Sequence, residues 1–544
     1  MQAGGRGGLR TGEDSAGRER PPSRTVTGAG AALQLGQAAD RARAARAIIG
    51  TTAASARTMT AAPSNPQSAP LPAPAPAAGL RRVLFVATDY PPLAGTNTQR
   101  IQSYVRHLPR HGWEPWVVTR AAEDLPLIDP EELAWPEAIE RVIRVPDPDP
   151  FAALARRRGR GAASVRTEAP AQTAAPQTPA PMAGSSLLRW PIDAASVVLK
   201  TALRYATYHP DALRPWANAA ARVAVAQCAR LRPAVVVSSH PAYSAHMAGL
   251  AIKRATGLPW VADFRDLWVD RPYRSQASGL HAAIDRRCEA AVVAGCDRIV
   301  FASPAWVDRL AARYGEALRA KAVVITNGYE RERGTQGHFE WPKWARLRVA
   351  FTGSMFSSES PEPLLEAVLR LQARAPELVL GLCVRLAGYG GEHEQALRRR
   401  VREAGLEAQF GFVGTQPHAV AVAMQRSADL LALAQGEGHA ETIQGKLLEY
   451  LATGKPVLAM NAPHGVGAAI LKRAGVGQCY AHGDVAGAEA LLEACLSEGA
   501  PAVQPDWNYI GQYDRAALAG RLAAVLDEVA AVRGVSAMLT EAAA

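Results

Sequence analysis

Short runs of apolar residues, each followed by a turn and a helical stretch, recur along most of this 544-residue chain. The first run is RRVLFVAT at 81–88, and it is followed by the helical stretch TQRIQSYVRHLPRHG and a second run, WEPWVVT. These runs are rich in β-branched and aromatic residues and do not alternate with polar ones, which is typical of parallel strands buried on both faces. The sequence therefore predicts an α/β protein built on parallel sheets.

The strand and helix pattern occurs in two series, which predicts two domains. The first series includes PAVVVSSH, PWVADF, CDRIVFAS and KAVVITNG, and the second begins at RLRVAFTGS and includes VRLAGYG, AQFGFVGT, ADLLALAQ and KPVLAM. A polar segment near 330–345 predicts an interdomain hinge. We predict a first Rossmann-like domain over 81–335, a second over 340–510, and a helix at 511–535 that packs back on the first domain.

Two compositionally biased tracts interrupt this pattern. Residues 1–80 are rich in Ala, Gly, Pro and Arg, and the segment at about 155–186 has a similar bias. Such composition does not supply enough apolar surface for a core. We expect a disordered N-terminal extension and a disordered insertion in the first domain. Met59 is an alternative start, so whether residues 1–58 are translated stays an open question.

Composition indicates a soluble globular protein of the cytoplasm. The hydrophobic fraction is 48% and the charged fraction is 20%. Six cysteines are scattered without a CxxC pair, so neither a disulfide framework nor a zinc site is predicted. No run of 18 apolar residues and no signal peptide occur in the sequence, so we expect neither a membrane span nor secretion.

The positive charge is concentrated in the first predicted domain. Residues 81–340 carry 34 basic and 25 acidic side chains, a balance of +9, whereas residues 341–544 carry 18 and 21, a balance of −3. This asymmetry favours peripheral contact of the first domain with an anionic membrane surface, where each Lys or Arg contributes roughly 1 kcal/mol. A solvated Arg-rich surface is the alternative. Nucleic acid is not expected as a partner, because no recognition module is visible.

The segment ETIQGKLLEYLATGKPVLAM at 441–460 combines two glutamates with a predicted helix start. Ligands of open parallel sheets collect at the carboxyl ends of the strands, where this segment is expected to lie. If the helix begins near Thr442 or Ile443, its first amides can hold a diphosphate. Glu441 would then lie in the loop beside a sugar, and Glu449, about two turns into the helix, could accept hydrogen bonds from ribose hydroxyls. A solvated helix face is the alternative.

This E-x(7)-E pattern, followed by EYLATGKPVLA, resembles the donor-site signature of retaining glycosyltransferases of family 4 of the bacterial surface-polysaccharide type. The resemblance covers about 81–150 and 187–535. It implies the GT-B fold, with two Rossmann-like domains facing a central cleft. It also implies transfer of a sugar from a nucleotide diphosphate sugar, the co-substrate, to an acceptor hydroxyl with retention and without a cofactor or obligatory metal. A saccharide or lipid-linked acceptor in surface-polysaccharide or lipid-linked glycan assembly follows from the same likeness.

The resemblance also assigns residues of the cleft. His240, in VVVSSHPAYSAH, matches the histidine that the family presents to the cleft and is expected to act in catalysis together with Glu441. Gly95 matches the first glycine loop, where the absence of a Cβ allows close approach of phosphate or acceptor. Lys446 is expected near the donor phosphates, and Glu449 at the ribose. The alternatives are a structural imidazole for His240, a turn glycine for Gly95 and an exposed structural lysine for Lys446.

The segment WVADFRDLWVD at 260–270 adds three charged candidates, Asp263, Arg265 and Asp266. It resembles a segment whose acidic and basic residues line the cleft of bacterial family 4 enzymes. The alternative is a buried ion-pair network that braces the loop.

The loop FTGSMFSSESPEPL departs from the family pattern. Many relatives place an Arg, and a Lys a few residues later, after this strand to bind the diphosphate. Here Gly353 and Ser354 offer backbone amides and a hydroxyl instead. Neutralisation of the phosphates is therefore expected from Lys446, another arginine or the helix dipole. A nucleotide-sugar epimerase of the same fold and a catalytically silent binding protein stay open as alternatives.

Overall fold

The computed structural model describes residues 79–93, 95–125, 141–148, 207–270, 279–331, 337–356 and 359–543. The two tracts predicted to be disordered lie outside these residues, apart from Gly79 and Leu80 at the end of the first.

Seven parallel strands of the described residues form the first sheet, in the order β3-β2-β1-β4-β5-β6-β7. The strands are β1 Arg81–Ala87, β2 Trp113–Arg120, β3 Val142–Val145, β4 Val235–Ser239, β5 Trp260–Phe264, β6 Arg298–Phe301 and β7 Ala322–Val324. Helices α1 Thr96–His107, α2 Arg214–Leu231, α3 Ser244–Thr256, α4 Gly279–Gly295 and α5 Pro304–Tyr314 pack around it.

Strand β1 is buried on both faces. Leu84 and Val86 belong to the core on one side of the sheet. Val83 and Phe85 belong to the core on the other side. Because both sets of side chains are buried, the strand needs apolar residues at every position. This burial explains why its sequence does not alternate.

Six parallel strands of the described residues form the second sheet, in the order β10-β9-β8-β11-β12-β13. The strands are β8 Leu347–Thr352, β9 Leu382–Ala387, β10 Phe410–Gly414, β11 Leu430–Ala434, β12 Val457–Met460 and β13 Gly477–Tyr480. The helices are α6 Glu362–Arg374, α7 Pro376–Val379, α8 Gly391–Glu403, α9 His418–Ser427, α10 Gly445–Leu451, α11 Val466–Ala474, α12 Val485–Glu498 and α13 Trp507–Gly511. Short 3-10 turns lie at Leu108–His111, Ala122–Asp124, Glu316–Ala320 and Glu437–His439.

The last helix, α14 Arg515–Ala543, returns to the first sheet. Leu518, Leu522 and Leu526 on this helix share a core with Phe85 of β1. Its apolar face therefore packs on the first sheet, so the C-terminal helix forms part of the core of the first domain.

The chain crosses between the domains twice, and the two crossings lie side by side. The Tyr329 amide donates to the Tyr513 carbonyl at 3.1 Å, and the Arg515 amide donates to the Tyr329 carbonyl at 3.0 Å. We name these two segments, 326–331 and 511–515, the paired crossing.

The predicted fold class is confirmed: two Rossmann-like domains with parallel sheets carry helices on both faces. Among the helices that the described residues form, none combines the length and the apolar character that crossing a lipid bilayer requires.

Candidate active site

A cleft of about 610 Å³ lies between the two domains, at the carboxyl ends of their strands. From the first domain, residues that follow β5, β6 and β7 line it, and from the second domain residues that follow β8, β9, β10 and β11 do so. A site between two sheets at these strand ends can hold two substrates, one from each side.

The structure brings most of the predicted site residues to this cleft. The residues that line it are Gly95, Arg265, Asp266, Gly353, Ser354, Lys446 and Glu449. The three that are not among its lining residues are His240, Asp263 and Glu441.

Two glycines of the cleft have backbones in the left-handed region. Gly95 precedes α1 and has φ 137°. Gly353 follows β8 with φ 110°, and a Cβ at this position would lie 3.2 Å from the Lys446 side chain. A residue with a Cβ would be strained at either position, and at Gly353 it would also press on the lysine.

Lys446 supplies the cation that the loop after β8 lacks. Its Nζ lies 3.0 Å from Oε2 of Glu359 and 3.2 Å from the carbonyl oxygen of Ser354, and 4.6 Å from the ring centre of Phe351. Burial lowers the pKa of Lys446, and the neighbouring Glu359 opposes that shift in part. The ammonium therefore contacts the loop after β8, although the lysine itself comes from α10.

Glu449 lies on the same helix as Lys446. His418 Nε2 lies 3.0 Å from its Oε1, and Gln425 Nε2 donates to its Oε2 at 3.2 Å. Burial acts to raise the pKa of Glu449, but His418 and Gln425 outweigh it, and the net shift is downward. The carboxylate is thus held ionised and oriented at the cleft, ready to accept hydrogen bonds.

The helix start differs from the prediction. We expected it near Thr442 or Ile443, but α10 begins at Gly445, with Gln444 as its N-cap. The extended backbone of Gln444, with ψ 137°, delays the first helical turn. As a consequence Glu449 lies one turn into the helix rather than about two.

Asp263 does not reach the cleft, because it is engaged in a buried ion pair. Arg100 Nη2 donates to its Oδ1 at 2.8 Å and Arg100 Nε to its Oδ2 at 3.0 Å, while Ser239 Oγ donates at 2.8 Å. Arg100 also donates to the carbonyls of Ile325 and Thr326. The pair joins β5, α1 and the segment after β7, which is the bracing role considered as the alternative.

Arg265 and Asp266 reach the cleft on a loop that is braced from behind. Tyr243 donates its hydroxyl to the Leu267 carbonyl at 2.7 Å and stacks on Trp268 at 4.9 Å. Trp268 in turn donates its indole N–H to the buried carboxylate of Asp285 at 3.2 Å. These contacts fix the backbone on the far side of the two charged residues.

His240 lies behind this loop rather than on the cleft wall. Its side chain is 8% exposed, its Nδ1 lies 3.6 Å from Asp266 Oδ2, and its ring packs at a tilt of 32° on Tyr243, with 4.3 Å between ring centres. The expectation that His240 faces the cleft directly is not met, because His240 is not among the lining residues, whereas Asp266 beside it is. His246 is buried deeper, with Nδ1 2.9 Å from Ser238 Oγ.

Glu441 connects the two domains. Its carboxylate accepts from Arg309 Nε of α5 at 2.5 Å, and its carbonyl accepts from Ser303 Oγ at 2.5 Å. The neighbouring residue, Thr442, lines the cleft. Glu441 therefore stands at the rim, with its charge turned to the first domain instead of to the position beside a sugar that we expected.

Two family models match the two halves of the protein. Residues 186–333 match the model described as Glycosyltransferase Family 4. Residues 346–497 match the model described as Glycosyl transferases group 1. The chain carries two glycosyltransferase domains. No curated protein matches it at a significant level.

Comparison with solved structures finds similar chains at low sequence identity, and of the three named here one has a TM-score above 0.5. The N-terminal domain of trehalose-6-phosphate phosphatase from Candida albicans is 10% identical over 85% of this chain and 98% of that chain, with a TM-score of 0.53. Alr3699/HepE from Anabaena in complex with UDP is 14% identical over 85% and 100%, with a TM-score of 0.48. Sucrose-phosphate synthase from Thermosynechococcus elongatus gives the same identity, coverage and TM-score as HepE.

Several residues of the glycosyltransferase cleft were not predicted from the sequence. They are Gln99, Arg100, Glu359, His418, Gln425 and Arg515. The polar first turns of α1, which follow the glycine loop, are a signal that could have indicated the first two. Arg515 could not be found in this way, because it is 416 residues from its partner Gln99, whose Oε1 accepts from Arg515 Nη2 at 2.9 Å.

Proposed function

We propose that this glycosyltransferase moves a sugar from a nucleotide diphosphate sugar to an acceptor hydroxyl with retained anomeric configuration. The observation that carries the proposal is the joint presence of Lys446 and Glu449 on one helix at the cleft, with Gly353 of the same domain next to Lys446. An ammonium and an ionised carboxylate about one turn apart match the diphosphate and the ribose hydroxyls of such a donor.

The chemistry needs positive charge where the leaving group forms. Departure of the nucleoside diphosphate builds negative charge on the phosphates and oxocarbenium character on the sugar. We assign Lys446 to stabilise the negative charge that develops on the phosphates. The backbone of Gly353 and the hydroxyl of Ser354 border the same position without a bulky side chain.

We assign His240 and Glu441 to the reacting sugar as part of this proposal. His240 contacts Asp266, which lines the cleft, and Glu441 is the neighbour in sequence of Thr442, which also lines it. The Glu441–Arg309 pair is more than one-third exposed on both partners, so it costs little to break. In this proposal, release from Arg309 lets the Glu441 carboxylate turn toward the sugar, and closure of the domains excludes water.

We further propose that the first domain takes the acceptor, a saccharide or lipid-linked saccharide of surface-polysaccharide or lipid-linked glycan assembly. The support is the charge balance of +9 over residues 81–340 against −3 over 341–544. A basic domain favours the anionic inner face of a membrane, where such acceptors are anchored.

Nucleotide binding tests the donor assignment. We expect at least one of UDP, GDP and ADP to raise the melting temperature, since binding to the native state stabilises it. Glu449→Ala removes hydrogen bonds to a charged group, worth about 1.5–3 kcal/mol, so affinity should fall about 10- to 150-fold and the shift should vanish at moderate ligand concentration. Thermal melting with each nucleotide measures both.

The exposed Glu403 provides the matched control, and Glu403→Ala should keep the full shift. An equal shift in Glu449→Ala would show that the ribose lies elsewhere. No shift with any of the nucleotides would favour the catalytically silent alternative. Incubation with the sugar nucleotide alone, followed by analysis of its sugar, separates transfer from epimerisation.

A further inference from the structure

The ammonium assigned to the donor phosphates already has a carboxylate beside it. Lys446 Nζ lies 3.0 Å from Glu359 Oε2, and the lysine side chain is 9% exposed against 22% for the glutamate. Both residues line the cleft. The cation therefore does not stand alone in the site where a diphosphate would bind.

The carboxylate comes from the loop that follows β8. Glu359 lies three residues after Phe356, and its amide donates to the Phe356 carbonyl at 2.9 Å. The loop returns to α6 three residues later, and Glu362 at the start of α6 turns away from the cleft to pair with Arg400 at 2.6 Å. Of these two neighbouring glutamates, Glu359 contacts the lysine and Glu362 contacts Arg400.

Two arginines that line the cleft, Arg100 and Arg515, are already engaged by other groups. Arg100 is matched by Asp263 in the buried ion pair described above. Arg515 is directed to the Gly328 carbonyl, at 3.1 Å, and to Gln99. A phosphate at Lys446 would meet the Glu359 carboxylate beside that ammonium, and these two charges partly cancel at short range.

We propose that Glu359 competes with the donor phosphates for Lys446, so that a nucleoside diphosphate binds only when this carboxylate leaves the ammonium. The inference rests on the proposed function and adds a control on it. Two anions at one ammonium repel each other inside a partly desolvated cleft, which weakens binding of the charged phosphates. Return of Glu359 to Lys446 favours release of the nucleoside diphosphate after transfer.

The test compares binding of UDP, GDP and ADP to the full chain and to Glu359→Gln by calorimetry, in buffer with EDTA. Glutamine keeps the size and can still accept a hydrogen bond from Lys446, but it carries no charge. We expect the variant to bind the nucleoside diphosphate at least about 10-fold more tightly. Binding of the matching nucleoside, which has no phosphate, should stay within about twofold of the parent protein.

Glu362→Gln, three residues away at the start of α6 and paired with Arg400, is the matched control and should bind like the parent. Glu359→Ala should shift affinity in the same direction as Glu359→Gln, which guards against an effect peculiar to the amide. Thermal melting without ligand verifies that each variant folds.

Four results would overturn the inference. Unchanged affinity in Glu359→Gln would show that the carboxylate does not compete. Weaker binding in Glu359→Gln would show that Glu359 assists binding of the phosphates. Tighter binding on addition of Mg²⁺ in the parent protein but not in Glu359→Gln would identify Glu359 as a cation ligand. If neither parent nor variants bind any of the three nucleotides, the proposed function fails and the inference fails with it.

Discussion

Replacing Arg100 with methionine is expected to lower the free energy of unfolding by about 3–5 kcal/mol, because it leaves the buried carboxylate of Asp263 without its counter-charge. Arg100 is 4% exposed and Asp263 is 2% exposed, so water cannot substitute for the lost partner. The variant also frees the carbonyls of Ile325 and Thr326, which Arg100 holds. Urea unfolding followed by circular dichroism measures the loss.

A double variant separates the pair from the surrounding packing. Arg100→Met combined with Asp263→Asn should cost less than the two single changes together by about 2 kcal/mol, since the neutral amide does not need a counter-charge. Arg319→Met, in an exposed ion pair with Asp308, is the control and should leave the urea midpoint unchanged. Additive effects of Arg100→Met and Asp263→Asn would show that the two side chains contribute independently.

The same pair predicts a pH dependence. Burial acts to raise the pKa of Asp263, but Arg100 and Ser239 outweigh it and the net shift is below the ordinary value of 3.8. A carboxylate with a depressed folded pKa contributes stability that is full above its unfolded pKa and is lost as the pH falls through the folded pKa. The stability gap between parent and Arg100→Met should therefore be largest near neutral pH and narrow below pH 3.8.

Replacing Lys446 with methionine is expected to lower kcat/KM for the sugar donor by about 10²- to 10³-fold, the usual loss when one group that stabilises transition-state charge is removed. Methionine keeps an apolar side chain over Phe351, so the local packing is largely retained. Glu359 is left without the ammonium but is partly exposed and can be hydrated. Steady-state transfer assays with the donor identified by nucleotide binding measure the change.

Lys472→Met, at an exposed position of α11, is the control for loss of a lysine and should keep full activity. A kcat/KM of Lys446→Met within about threefold of the parent would exclude Lys446 from the phosphate position. A rise in KM alone, with kcat intact, would assign the lysine to ground-state binding of the donor rather than to the leaving group.

The fold was predictable from the sequence because its strands are short, apolar and buried on both faces, as Val83 to Val86 of β1 illustrate. The helix with Lys446 and Glu449 was also predictable, because two charged residues near a helix start leave a local pattern. Positions that depend on the surroundings of a side chain were not. Arg100 forms an ion pair with Asp263, which is 163 residues away in the sequence, and Arg309 forms one with Glu441, which is 132 residues away.

His240 illustrates the same limit. The residue lies directly after β4, at the edge where ligands collect, and the prediction that it faces the cleft comes from the resemblance to family 4 at this segment. The ring turns instead toward Tyr243 and the loop with Asp266. A local pattern indicates which strand end a residue occupies, but not which neighbour its side chain meets.

The paired crossing restricts how this molecule can open and close. A single covalent connection would allow one domain to rotate freely relative to the other. Two adjacent segments that are hydrogen-bonded through Tyr329, Tyr513 and Arg515 resist such torsion, so that bending is the easier movement. Residues next to the pivot travel least in such a movement. Arg515 should thus keep its geometry through a catalytic cycle, while Glu441 and its partner Arg309, on opposite lobes, change separation as the lobes bend.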